Sequence, residues 1–170
     1  MTMKPRCWRR MESPPYTRKE YIDGIPDPKI RKFTHGDPRR PFQYELVLVA
    51  KKAGQIRHNA LEAARVATNK FLETKLGRNN YFFRVVPYPH HVLRENKMIF
   101  GAGADRLQDG MRLAFGKPVG TAAQVWEGSE VLLVRVDEPG VEVAKEALRR
   151  GAAKLPIPCR IVMRRLEQPD

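Results

Sequence analysis

The sequence has little cysteine, no long apolar run and too few acids to balance its bases, and each shortage excludes a class of protein. The two cysteines, Cys7 and Cys159, stand near opposite ends of the chain, and neither belongs to a CxxC pair or a cysteine and histidine cluster. Structural zinc of the familiar spacings is thereby excluded. Two reduced thiols are a simpler expectation than a disulfide. The longest apolar run, Met98 to Ala104, is far too short to span a bilayer. Met11-Glu12-Ser13-Pro14-Pro15 stands where a signal peptide would need its apolar core, so a cytosolic protein without a membrane partner is expected.

Catalytic patterns are missing as well. No G-x-S-x-G, P-loop or H-E-x-x-H occurs. His90 and His91 are neighbours and cannot form an i,i+4 metal pair, while His35 and His58 have no partner close in sequence. Gly101-Ala102-Gly103-Ala104-Asp105-Arg106 approaches the dinucleotide pattern G-x-G-x-x-G, but Arg106 stands where the third glycine belongs and no clear strand feeds it. Asp105 and Asp109 lie among cations that neutralise them. The expectation is a protein that is no enzyme, with no catalytic residues, no metal, no cofactor and no small-molecule substrate.

What the sequence does have is positive charge, and its position is more telling than its sum. Against 32 Lys and Arg stand 19 Asp and Glu, a net charge of +13, which favours a polyanionic partner. Residues 1 to 40 hold 11 basic and 5 acidic side chains, and residues 145 to 165 hold 7 and 1, so the surplus sits at the two ends. A chain of 170 residues is long enough for one domain with a real core. Seven of the 14 prolines fall within residues 1 to 42, which therefore read as a basic arm that cannot be a long helix or an inner strand. In it Trp8, Tyr16, Tyr21 and Phe33 are interleaved with cations, so rings can stack on bases or pin the arm to the body.

Residues 43–170 read as the single folded domain. Gln43 to Ala50 is a strand, Lys51 to Gln55 a turn, and 59–76 a helix opened by an Asn59/Glu62 capping box and closed by Gly77. The outer face of that helix carries Arg57, Arg65, Asn69 and Lys70. Tyr81 to Val86 is a second strand ending at Pro87. Residues 88–118 show neither strand nor helix period and read as a long glycine-softened loop, functional rather than ornamental. Val119 to Trp126 and Val131 to Val136 suggest a hairpin across Glu127-Gly128-Ser129. A second helix starts near Asp137-Glu138-Pro139 and runs to about residue 153, weakened or ended by Gly151. Cys159 to Arg165 is the last strand. This order predicts an α+β fold: a two-layer α/β sandwich, its sheet mainly antiparallel or mixed, with both helices on one face.

Several long motifs carry a resemblance. Arg57-His58-Asn59-Ala60-Leu61-Glu62-Ala63-Ala64-Arg65, Pro89-His90-His91-Val92-Leu93-Arg94-Glu95-Asn96-Lys97-Met98, Asp109-Gly110-Met111-Arg112 and Ala114-Phe115-Gly116-Lys117-Pro118 resemble the archaeal and eukaryal, ten-e form of large-ribosomal-subunit protein sixteen. Arg6-Cys7-Trp8-Arg9, Tyr21-Ile22-Asp23-Gly24-Ile25-Pro26 and Glu146-Ala147-Leu148-Arg149-Arg150 are similar too. Trp8, where tyrosine is more usual, and Gly151, where a helix former is usual, depart from the pattern.

The resemblance implies a cytoplasmic structural constituent of the large subunit, bound to large-subunit ribosomal RNA near the central protuberance and beside the aminoacyl-tRNA path. Its implied partners are that RNA, neighbouring large-subunit proteins and aminoacyl-site transfer RNA, with peptidyl-site transfer RNA a further candidate. Ribosomal RNA contacts are expected from Lys4, Arg6, Arg9, Arg10, Arg18, Lys19, Arg31 and Lys32 in the arm. Arg57, His58 and Arg65 at the first helix, and Arg149, Arg150, Lys154, Arg160 and Arg164 near the C-terminus, complete that set. In the functional loop, 94–117, the resemblance points Arg94, Asn96, Lys97, Met98, Gly101, Gly103, Asp105, Arg106, Arg112 and Lys117 toward the peptidyl transferase centre and transfer RNA. The rival expectations are a free-standing RNA-binding module and a small RNA-modifying enzyme.

Overall fold

Apolar residues recurring at two different periods divide the chain between strands and helices. In the computed structural model, which describes residues 11, 14–95 and 116–166, the strands are β1 (Thr34–Gly36), β2 (Tyr44–Ala50), β3 (Gly54–Arg57), β4 (Tyr81–Val85), β5 (His91–Glu95), β6 (Lys117–Val125), β7 (Glu130–Val136) and β8 (Cys159–Arg165). Helix α1 (His58–Leu76) follows β3, and α2 (Val141–Ala152) lies between β7 and β8, entered through a 3-10 turn at Glu138–Gly140. Every pairing among these strands is antiparallel.

The strands form two sheets, one ordered β1-β4-β7-β2-β8 and a smaller one ordered β3-β6-β5. β2 and β7 lie inside the larger sheet because both of their faces are apolar. Leu46, Leu48, Leu132 and Val134 point to one side, Val47, Val49 and Leu133 to the other, and all are buried. β1 is a three-residue edge strand, all that the described part of the proline-rich arm contributes to this sheet. It stops at Gly36, whose φ of +80° favours glycine and where a Cβ would overlap the Tyr81 carbonyl oxygen.

Helix α1 buries Leu61, Ala64, Thr68 and Leu72, and α2 buries Ala144, Ala147, Leu148 and Gly151, both at helical spacing. These side chains share one core with Leu46, Leu48, Leu132 and Val134, so both helices cover the same face of the larger sheet. That is the expected α+β sandwich. Burying a leucine such as Leu61, Leu72 or Leu148 contributes about 1.5–3 kcal/mol. Gly151 does not end α2 but marks its tightest approach to α1. A Cβ there would overlap Thr68 Oγ1 and stand 2.9 Å from Leu132 Cδ1.

The structure corrects several local expectations. The hairpin between Val119–Trp126 and Val131–Val136 does not form, because β6 pairs with β3 and β5 while β7 pairs with β2 and β4. The doubly apolar β7 needs a neighbour on each edge, and the chain changes sheets at Trp126–Ser129. There Gly128 N–H donates to the Ala50 carbonyl and Ala50 N–H to that of Ser129. The turn read at Lys51–Gln55 is shorter, since Gly54 and Gln55 already belong to β3. The capping box does not close: Asn59 Oδ1 accepts from Ala60 N–H at 3.0 Å, and Glu62 accepts from Arg65 Nε at 2.8 Å. At the other end Gly77, with φ +77°, donates to Glu73 O as a terminating glycine should. The long loop is also shorter than expected. His91–Glu95 and Lys117–Val125 are strands, with Glu95 opposite Lys117, so Arg94 and Lys117 are strand residues. Neither stretch has a clear period of two; their pairing with each other supplies the order.

Candidate nucleic-acid interface

The basic arm is stitched to the body by imidazoles. Tyr16 N–H donates to His91 Nδ1 at 2.7 Å, and Val92 N–H donates back to Tyr16 O at 3.0 Å, so Tyr16 closes part of the free edge of β5. Further along, Lys29 N–H donates to His58 Nδ1 at 3.0 Å, and His35 Nε2 lies 2.9 Å from an Arg65 guanidinium nitrogen. Ile22 and Ile30 are buried beneath the same segment. Burial first, then nearby cations, push all three histidines below their ordinary range, with Arg65 and Lys32 acting on His35, Arg57 and Lys29 on His58, and His90 and Arg94 on His91. Neutral imidazoles are what these contacts need, because an acceptor nitrogen must be unprotonated.

The described arm cations Arg18, Lys19, Arg31 and Lys32 are exposed. Of these four, only Arg31 has an acid in reach among the described residues, Asp27 at 3.9 Å, and both side chains are solvent-facing, so that pairing contributes little. Lys4, Arg6, Arg9 and Arg10 lie outside the described residues, as does Trp8. Of the arm's rings, Phe33 packs against the core and Tyr88, whereas Tyr21 is exposed.

The three positions expected at the start of α1 are more enclosed. Arg57 is half-buried, His58 is buried with Nδ1 occupied by Lys29, and Arg65 is clasped by Glu62 and His35. The Glu62 hydrogen bond raises the Arg65 pKa. Asn69, expected on an outer face, accepts from the Tyr81 hydroxyl at 2.8 Å. Near the C-terminus, Arg149 and Arg150 share Glu146 at 3.6 and 3.1 Å, while Lys154 and Arg160 are exposed and make no ion pair among the described residues. Arg164 reaches Glu130 at 3.2 Å.

Strand alternation adds Arg84 and Arg135, which were not among the expected contacts, to Arg160 and Arg164, which were. The helix-free face of the larger sheet carries Arg84, Arg135, Arg160 and Arg164 around the apolar cluster of Phe42, Val47, Val49, Phe82, Leu133 and Val162. Arg135 Nε donates to Glu45, a buried carboxylate, at 2.9 Å. Arg84 is exposed. The period-two pattern of Tyr81–Val85 and Val131–Val136, followed outward as well as inward, was the available signal. β1, reached from the arm, and the basic strand β8 form opposite edges of this sheet, and the helix-free face between them is cationic.

At the stem of the expected loop, Arg94 stacks over the Tyr16 ring at 4.3 Å, and Lys117 opens β6. Asn96, Lys97, Met98, Gly101, Gly103, Asp105, Arg106 and Arg112 lie outside the described residues. Among those described, no cluster of three or more His, Cys, Asp or Glu could hold a metal ion, and no helix is long and apolar enough to cross a membrane. The Cys159 thiol is free, its pKa raised by burial.

The sequence pattern of the family described as ribosomal protein L16p/L10e matches residues 11–162. Large ribosomal subunit protein uL16 of Hyperthermus butylicus is 61% identical over 167 residues, covering 95% of this chain and 93% of the relative. That of Staphylothermus marinus is 59% identical, covering 98% and 97%, and that of Saccharolobus solfataricus is 54% identical, covering 95% and 92%. Agreement of this extent along nearly the whole length shows that the chain belongs to the ribosomal protein L16p/L10e family.

Proposed function

We propose that the chain is a structural constituent of the large ribosomal subunit, bound to its ribosomal RNA near the central protuberance and the aminoacyl-tRNA path. Neighbouring large-subunit proteins complete its surroundings. The basic ends neutralise phosphates and release condensed counterions. The segment between β5 and β6 is directed toward the peptidyl transferase centre and transfer RNA, where it positions without doing chemistry.

The observation that carries this reading is the junction of Tyr16, His91 and Arg94. The basic arm is bonded to the strand that leads into residues 96–115, so fixing the arm on RNA also fixes the base of that segment. Arginine suits the position because its planar guanidinium can stack on a ring and still offer donors to phosphate. Replacing Arg94 or Arg106 by Ala is expected to leave incorporation into large subunits intact and to slow transfer-RNA accommodation. Sucrose-gradient sedimentation and single-turnover accommodation kinetics measure the two; normal accommodation in correctly assembled particles would refute the role of the loop. Loss of the wild-type protein from large subunits at moderate salt would instead favour a free-standing RNA-binding module.

A further inference from the structure

On the outer side of the helical layer, α1 and α2 leave a shallow groove whose composition differs from the rest of the cationic surface. Val66, Phe71 and Ala153 make an apolar floor, and Val66 is 44% exposed. Lys70, Lys75, Arg150 and Lys154 stand around it, and among the described residues that line it none is acidic. Arg150 lies over the Phe71 ring at 4.0 Å and also pairs with Glu146, which sits outside the groove, at 3.1 Å. The three lysines make no ion pair among the described residues. Lone exposed apolar residues need no explanation, but an apolar floor inside a cationic rim has two complementary requirements.

RNA meets only one of them. Its phosphates would satisfy the lysines, but a base could reach the aromatic floor only by displacing the guanidinium already stacked on Phe71. A polypeptide that sets an aliphatic or aromatic side chain against Val66 and Ala153, with Arg150 left on Phe71, and carboxylates to either side meets both, burying apolar area and pairing the rim. The geometry points to this groove as a docking site for an acidic segment of another protein that carries an apolar anchor, on the side of the sandwich away from the sheet. The inference rests on the proposed placement in the large subunit, where neighbouring proteins are within reach.

A photoreactive benzoylphenylalanine in place of Val66, in chains first shown to sediment with large subunits, tests it by illumination and mass spectrometry of the adduct. The expected adduct is on a protein segment in which Asp or Glu flank an apolar side chain, and it disappears when Lys70→Glu and Lys75→Glu are added. An adduct on RNA, an adduct indifferent to those reversals, or none at all overturns the inference. Failure of the chain to enter subunits would count against the proposed function instead. A second measurement uses the purified full chain and a fluorescent acidic peptide with a central Phe. Val66→Asp should weaken its binding about tenfold or more, from reduced apolar burial and added repulsion. A matched peptide with Ser in place of Phe should bind the unaltered chain more weakly than the Phe peptide does. Equal binding of the Phe peptide to both chains overturns the proposal.

Discussion

Three residues, Gly151, His58 and His91, show how single positions set the behaviour of this protein. Gly151 is a packing residue, and Gly151→Ala would drive a methyl into Thr68 and Leu132. A loss of about 1–3 kcal/mol, typical of overpacking, is expected in denaturant midpoints. His58 and His91 accept arm N–H groups on Nδ1, and protonation would set donor against donor. Their pKa values are lowered from 6.5, so between those lowered values and 6.5 the unfolded chain binds more protons than the folded one. Their contribution to stability is therefore full above the unfolded value and is lost as pH falls through the folded one. On going from about pH 7.5 to about pH 5, amide protection factors, referred to the intrinsic exchange rate at each pH, should fall in residues 14–36 before they do in β2 or β7. Simultaneous loss of protection in arm and sheet would contradict this. None of it was legible in the sequence, where the histidines are scattered and Gly151 looks like a helix flaw.

At the scale of elements, local pattern located what was long and strongly periodic and missed what was short. β2, β4, β7, β8 and both helices were readable because each carries enough apolar residues to declare a period. β1, β3 and β5 have three to five residues apiece and are strands only because a neighbour supplies the ladder. The same reasoning makes Tyr16 part of the β5 edge rather than of a free tail. Tyr16→Ala removes the ring beneath Arg94 but keeps the backbone bond from Val92. Losing a stacking worth about 0.5–2 kcal/mol should speed exchange of the Val92 amide by roughly two- to thirtyfold, with β2 amides unaffected. Unchanged Val92 exchange would show that the ring does not hold the arm.

For the molecule as a whole, the balance is between a sandwich that buries an apolar core of its own and cationic surfaces that need a partner to be neutralised. If the exposed cations of the two ends hold RNA phosphates, replacing Arg31, Lys32 and Arg160 together by Gln should reduce the slope of log affinity against log salt. The reduction should be about 0.7–0.9 for each phosphate that is no longer neutralised, with thermal stability little changed. An unchanged slope, measured by filter binding to large-subunit RNA, would move the footprint elsewhere. Part of the candidate site was legible beforehand, since Arg18, Lys19, Lys154 and Arg160 were named from charge and are exposed. Arg84 was not named, and Arg65, though named, is held by Glu62 and His35. By itself the sequence determined the class of fold, the excess of positive charge and its concentration at the two ends, because composition and period are properties of the chain. Only the tertiary structure decided that β6 and β7 part into separate sheets, that β1 and β8 lie at opposite edges of the larger one, and that the arm grips β5. Those outcomes depend on which distant backbone groups and apolar faces meet, and no local stretch of residues encodes that.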